Sequence, residues 1–264
     1  MPDQAEGLRR RLSYTQLTTI PHMWSLTVTA GKGGVGKTTI AVNLAVLLAQ
    51  QGRKTALLDA DLGLASADVL LGVVPKYHIG HVISGHKSLT EICVEGPEGL
   101  ILIPGGSGFR ELADISDTAR QNLIASLNEL DVECIVIDTS PGISKNVIDF
   151  AAFANKVLVI TTPDSTAITD AYASIKTVFM DNPASEIYVL VNQVPDRLHA
   201  ERVMRILSNM TERFLNRRIT PGGFITHDQR VSDALRREKP LVLEFPNCAA
   251  AHCLRVCLRN LLKK

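Results

Sequence analysis

An α/β fold with a mostly parallel, twisted sheet covered by helices on both faces is predicted by three features of the sequence. A glycine-rich loop stands between a short β-rich run and a helical one. Apolar runs ending in Asp recur at 54–61 and 134–138. Short apolar runs alternate with helical patterns along the whole chain, which right-handed crossovers fold into a parallel sheet.

The loop is Gly31-Lys32-Gly33-Gly34-Val35-Gly36-Lys37-Thr38-Thr39. It fits G-x-x-x-x-G-K-[ST], the P-loop that wraps the phosphates of a nucleoside triphosphate. Ser25 to Ala30 precedes it as a strand. Ile40, Leu44, Leu47 and Leu48 follow at helical spacing up to Gly52, a candidate C-cap. Glycines let backbone N–H groups turn inward as an anion nest, and the helix N-terminus adds partial positive charge. Lys37 is placed to reach the β- and γ-phosphates, and the Thr38 hydroxyl to ligate Mg²⁺. A mere strand-to-helix turn would need neither the Lys-Thr pair nor both flanks.

The run Lys54 to Asp61 ends in two acids, Asp59 and Asp61. Ligands of α/β sheets bind at the carboxyl ends of strands, so both should face the phosphates, holding Mg²⁺ or orienting the attacking water. Cys134-Ile135-Val136-Ile137-Asp138 has the Walker B pattern, which assigns Asp138 to the metal. After it, Gly142 can swing its amide toward a γ-phosphate. Asn192 ends the apolar run Glu186–Val194, and its amide matches the donor–acceptor edge of a purine.

The remaining elements read as follows. Residues 62–72 continue as a helix, 73–99 are irregular, and 100–106 form a strand and turn. Helices are expected at 116–130, 169–179 (capped by Ser165 or Thr166) and 199–215, and strands at 156–163 and 223–226. Residues 2–12, PDQAEGLRRRL, make a short helix too weak to stand alone in water, and 13–24 a tether. Pattern alone leaves a frayed tail and a helix that folds on a partner both open. The closing CAAAHCLRVCLRNLLKK is a basic amphipathic helix; it suits an anionic membrane surface or docking on its own core.

With 264 residues and 45% apolar content the chain can bury one sizeable core. A net charge of +1 supplies no global field for nucleic acid or membrane. Five cysteines without a C-x-x-C pair suit a reducing cytoplasm. No apolar run is long enough to span a bilayer, and the N-terminus lacks the apolar region of a signal peptide. His78, His81 and His86 lack the spacing of a metal site.

Lys32 places a second lysine ahead of Gly33-Gly34. That loop resembles the deviant Walker A of the MinD/ParA ATPases. The stretches GKGGVGKTT (31–39), LLDADLGLASADVLLG (57–72), IVIDTSPGI (135–143) and TTPDSTAITDAYASIK (161–176) extend the resemblance, which matches best the FlhG branch, concerned with flagellar number and position. Domains follow: an activator helix and tether over 1–24, and the ATPase domain over 25–264. The resemblance implies ATP and Mg²⁺ as cofactors and an ATP-bound homodimer. Lys32 would reach across it to the neighbour's phosphates, as an arginine finger does. It further implies that Lys37 and the loop amides hold phosphates, Thr38 binds Mg²⁺, Asp61 positions the hydrolytic water, Asp138 supports the metal and Asn192 meets adenine. Thr226-His227-Asp228 stands where relatives read Pro-x-Asp, making Asp228 an adenine-side contact. Asp3-Gln4-Ala5-Glu6-Gly7-Leu8-Arg9 matches D-Q-A-x-x-L-R, the segment that stimulates the GTPase FlhF, with Asp3, Gln4, Ala5, Leu8 and Arg9 as the contacts. Flagellar switch proteins or a flagellar transcription regulator are further implied partners, and the inner face of the membrane an implied location. A partition ATPase binding DNA is the alternative, disfavoured by the near-neutral charge. An iron–sulfur reductase shares the loop, but Cys93 and Cys134 lack that branch's setting.

Overall fold

The computed structural model describes residues 23–61, 65–106 and 115–263. The expected activator helix, with Asp3, Gln4, Ala5, Leu8 and Arg9, lies outside them. Among the described residues one sheet of eight strands runs in the order β3-β4-β2-β5-β1-β6-β7-β8. These are β1 (Trp24–Ala30), β2 (Thr55–Ala60), β3 (Val94–Glu95), β4 (Ile101–Ile103), β5 (Cys134–Thr139), β6 (Lys156–Thr161), β7 (Glu186–Val194) and β8 (Thr220–Thr226). All neighbours pair in parallel except the two-residue edge strand β3, antiparallel to β4.

Strand β1 is central because it is covered everywhere. β5 and β6 flank it, helices cover both faces, and its residues from Ser25 on are buried. Its buried hydroxyl at Thr27 is satisfied by the Phe150 carbonyl at 2.8 Å, as burial of a polar group demands. The chain leaves β1 for β2 on one side and later reaches β6 on the other. The carboxyl end of β1 is therefore the topological switch point, where open α/β sheets bind ligands. The glycine loop lies there.

Helix α1 (Lys37–Ala49) is buried on every side from Ile40 to Ala49, not along the single stripe its spacing suggests. It is packed between the sheet and the last helix, and a helix apolar all round belongs inside. It ends at Ala49, with Gln50 as C-cap, so Gly52 stands just beyond it with φ +76°.

Several boundaries differ from expectation. Within 62–72 the described helix is only α2 (Ala67–Leu71). The irregular stretch holds α3 (Ile79–Ile83), capped reciprocally by His78 and His81, and α4 (Leu89–Ile92), capped by Ser88 and Glu91. Helix α5 (Asp117–Ser126) starts on Ser116 and gives way to a 3₁₀ turn at Leu127. Between β5 and β6 runs α6 (Lys145–Phe153). Helix α7 (Ser165–Asp181) begins with Ser165 inside it. Asp164 occupies the cap position but accepts from the Thr162 hydroxyl at 2.7 Å instead of capping. Helix α8 (Arg197–Leu215) gains two residues because Asp196 caps it through the His199 amide. Helices α9 (Gln229–Arg236), α10 (Leu241–Glu244) and α11 (Ala249–Leu262) complete the described chain.

Of the two readings for the last helix, the fold shows docking. Leu254, Cys257, Leu258 and Leu261 of α11 are buried against β8 and α1. Its carboxyl end is held by Lys156, whose Nζ donates to the carbonyls of Leu261 at 2.9 Å and Lys263 at 2.8 Å and to the Tyr188 hydroxyl at 3.1 Å. A lysine near a helix's orphan carbonyls both satisfies them and meets the negative dipole end. Cys257 acts as a small hydrophobe, its thiol pushed by burial to about 12. No described helix is long and apolar enough to cross a membrane.

A buried polar knot joins α5 to α6. Arg120, 2% exposed, pairs with Asp149, with Asp117 at 2.6 Å, and donates to Asn146 at 2.9 Å. A guanidinium so enclosed is tolerable only while its acids remain. Replacement Asp149→Ala should therefore destabilise the protein by about 3–5 kcal/mol in urea unfolding, and Asp117→Ala, which removes a carboxylate more than half in solvent, by clearly less.

Candidate nucleotide site

The loop between β1 and α1 is shaped by glycines at two positions where nothing else fits. A Cβ on Gly31 would run into the Asp170 carbonyl of α7. Gly36, the N-cap of α1, has φ +89°, and a Cβ there would stand 2.5 Å from the Asn192 amide nitrogen. Lys32, Gly33 and Gly34 are exposed, whereas Val35 and Lys37 are buried.

Lys37 reaches back across the sheet end. Its Nζ lies 2.6 Å from Asp138 Oδ1 and 3.5 Å from the Thr38 hydroxyl. Asp138 is wholly buried, and burial drives its carboxyl upward, opposed by the Lys37 charge; Asp61 adds to the rise. Its second oxygen, Oδ2, is buried with no hydrogen-bond partner. An orphaned carboxylate oxygen beside a threonine hydroxyl fits a hydrated divalent cation, which would satisfy both through oxygen contacts. Thr38 and Asp138 would hold Mg²⁺ there.

Asp59 sits opposite Asp138 in the β2–β5 register. Burial, then the Asp138 charge, raises its carboxyl to about 7, and three backbone amides pull the other way. Both its oxygens are engaged, Oδ1 by the Asp61 amide at 3.2 Å and Oδ2 by those of Ser66 and Ala67 at 2.9 Å. Asp61, half-buried, follows the strand end. In the loop after Asp138, Gly142 has φ +101° and its amide donates to the Ala30 carbonyl at 2.8 Å.

Lys32 leans over the rim, its Nζ 3.1 Å from the Thr166 hydroxyl of α7, and makes no ion pair among the described residues. Beside Gly36 a cavity of about 270 Å³ is walled by Gly34, Asn192, His227 and Asp228 with apolar flanks from Ile225 and Val231. Asn192 stands in a bulge where Gln193 adopts φ +57°. Its Nδ2 donates to the Val35 carbonyl at 2.8 Å and its Oδ1 accepts the Gln193 amide. Asp228 caps α9 through the Arg230 amide and accepts the Ala250 amide of α11. The structure thus gathers Gly31 to Thr39, Asp59, Asp61 and Asp138 at one sheet end, with Asn192 and Asp228 on the adjoining cavity. Sequence reasoning missed Thr166, Asp170, Gln193 and His227. Thr166 and Asp170 lie in the stretch 161–176, Gln193 beside Asn192 and His227 beside Asp228, but what each touches at the loop or cavity is set by contacts between elements distant in the chain.

A mononucleotide-sized cavity beside a phosphate-shaped loop, a buried lysine and a Walker B acid define a P-loop nucleotide-binding protein. Comparison with known proteins goes further. Residues 26–241 match the CobQ/CobB/MinD/ParA nucleotide-binding domain. The chain is 36% identical over 228 residues to the antiactivator FleN of Pseudomonas aeruginosa, covering 86% of this chain and 81% of that one. It is 38% identical over 192 residues to the flagellum site-determining protein YlxH of Helicobacter pylori, covering 70% of this chain and 64% of that one. Among solved structures, MinD of Pyrococcus horikoshii complexed with Mg-ADP superposes with a TM-score of 0.78 at 20% identity, covering 91% and 96% of the two chains. The chain belongs to the MinD/ParA family of nucleotide-binding ATPases, in the FlhG branch that FleN and YlxH represent.

The raised carboxyl of Asp59 has a pH signature. Its folded value of about 7 exceeds the usual carboxylate value, so between the two the folded chain holds the extra proton and stability falls as pH rises. Without nucleotide or Mg²⁺, the protein should lose roughly 1–1.5 kcal/mol of unfolding free energy between pH 6 and pH 8 from this group. Urea titrations at the two pH values measure the loss, and the Asp59→Asn variant should flatten the slope.

Proposed function

We propose that this protein is a Mg²⁺-dependent ATPase switch that closes into a homodimer on ATP and acts in the control of flagellar number or placement. The observation that carries the reading is the geometry of Lys32. It is an exposed cation at the rim of a phosphate loop, unengaged by any described acid and free to enter a neighbour's site. Similarity to FleN and YlxH supports the flagellar assignment, and the Mg-ADP named with the MinD structure of like fold supports the cofactor.

The residues divide the work as follows. The loop amides and Lys37 bind and neutralise the phosphates, which requires Lys37 Nζ to give up part of its bond to Asp138. When bound, the cation withdraws charge from the phosphate oxygens. Asp61 orients the attacking water, and Lys32 from the partner stabilises charge on the transferring phosphoryl group. Gly142 donates to Ala30 in one state and is free to turn toward the γ-phosphate in the other. Asn192 and Asp228 line the cavity that suits the base. The activator segment and tether, expected over residues 1–24, end before Met23, which is buried, and Trp24, which opens β1. Asp3, Gln4, Ala5, Leu8 and Arg9 engage the GTPase FlhF, and flagellar switch proteins or a flagellar transcription regulator are further partners.

Mixing inactive variants tests the dimer. Lys32→Ala and Asp61→Ala should each cost about 10³-fold or more in ATP turnover. An equal mixture should regain about a quarter of wild-type turnover, since half the dimers then carry one complete site of two. No recovery on mixing, or a Lys32→Ala protein that turns over ATP as a monomer, overturns the reading. A synthetic peptide of residues 1–12 should accelerate GTP hydrolysis by FlhF, and a peptide with Gln4→Ala should not.

A further inference from the structure

Asp59 and Asp138 are neighbours in the sheet, both acidic and both buried, yet their oxygens are used differently. Asp138 offers an oxygen with no partner. Asp59, 1% exposed, has neither oxygen unclaimed. Its Oδ1 takes the amide of Asp61, and its Oδ2 takes the amides of Ser66 and Ala67, where α2 begins. One carboxylate therefore holds the amides of Asp61, Ser66 and Ala67 together. The main chain at Asp59 is enclosed as well: a Cβ on Gly105 would collide with its carbonyl, so the β4 end packs directly on it. The anchor is fixed in the sheet, and the amides of Asp61, Ser66 and Ala67 are bound to it.

Amides donated to a carboxylate are charge-assisted, and two on a single oxygen occupy both its lone-pair directions. Turning Oδ2 toward a cation would strip two buried amides of their acceptor. Each stripped amide would carry a desolvation penalty. We propose that Asp59 is a positioning residue. By stapling residues 61 and 66–67 to one carboxylate it sets where the Asp61 side chain stands, and it does not ligate the cation. The inference rests on the ATPase reading for its kinetic consequence, but the staple itself can be measured without nucleotide.

The test uses the full chain with Asp59→Asn and Asp59→Glu beside the wild type. Asn replaces one acceptor by an NH₂ that faces an amide donor; Glu keeps the carboxylate but displaces it by a methylene. Hydrogen exchange without nucleotide or metal should show the Ser66 and Ala67 amides exchanging at least ~10-fold faster in Asp59→Asn, with β1 and β5 unaltered. Binding of Mn²⁺ together with a non-hydrolysable ATP analogue, read by electron paramagnetic resonance, should stay within about twofold of wild type. The kcat for ATP should fall roughly 10–100-fold at an unchanged KM, as for loss of a supporting partner. Asp59→Glu should recover part of the amide protection and part of kcat together. Mn²⁺ affinity reduced tenfold with Ser66 and Ala67 still protected would overturn the proposal and make Asp59 a ligand. Unchanged exchange in both variants would overturn it too. Should Asp59→Asn fail to fold, Asp59→Glu decides by the same readouts. A wild-type chain with no ATP turnover would count against the ATPase reading alone, since the exchange result stands without it.

Discussion

The bond between Lys37 and Asp138 ties together the pieces of this molecule that must act as one. The lysine opens α1 and the acid closes β5, 101 residues later, yet their charged atoms are 2.6 Å apart with almost no solvent between them. A buried charge survives only beside its counter-charge, so the glycine loop, the start of α1 and the end of β5 are held in one geometry. That geometry in turn rests on β1, paired in parallel with β5 and β6, which brings the loop and the acid to the same end of the sheet. Helix α1 is enclosed by the sheet and α11, so the loop is carried by a rigid element rather than by a flexible connection.

Around this bond the acids differ in what they can still do. Asp138 has an oxygen in reserve, Asp59 has none, and Asp61 remains half-open to solvent. Three carboxylates close in sequence motif and space therefore differ in which of their oxygens are engaged, because their backbone surroundings differ. The same reasoning separates the lysines. Lys37 is enclosed and paired, whereas Lys32 is exposed and makes no ion pair among the described residues, its partner there being the Thr166 hydroxyl. On the far flank, Lys156 shows a third use of the same side chain, as a buried cap for the carboxyl end of α11.

Much of this was legible in advance because the signals were local. Strand, glycine loop and helix are contiguous, and Walker B is a short apolar run ending in an acid, so periodicity and motif located them together. Boundaries were less legible. Asp196 capped α8 two residues early, and Asp164 took the cap position of α7 without capping it, since side-chain partners outside the window decide such details. The short helices at 79–83 and 89–92 escaped a periodicity reading because four or five residues cannot display a period. The last helix could not be assigned from its pattern, because a membrane surface and a protein core demand the same amphipathic face.

The order of residues 31–39, the acid at 138 and the alternation of strand and helix determined by themselves the class of fold, the phosphate loop and the family. These depend on chemistry carried by neighbours in the chain. Tertiary structure alone decided that Asp59 serves the backbone while Asp138 keeps an open oxygen, that Asn192 braces the loop at Val35, and that α11 is locked by Lys156. Each of those outcomes is a matter of which distant atom fills a donor's or acceptor's vacancy, and only folding brings the candidates within reach.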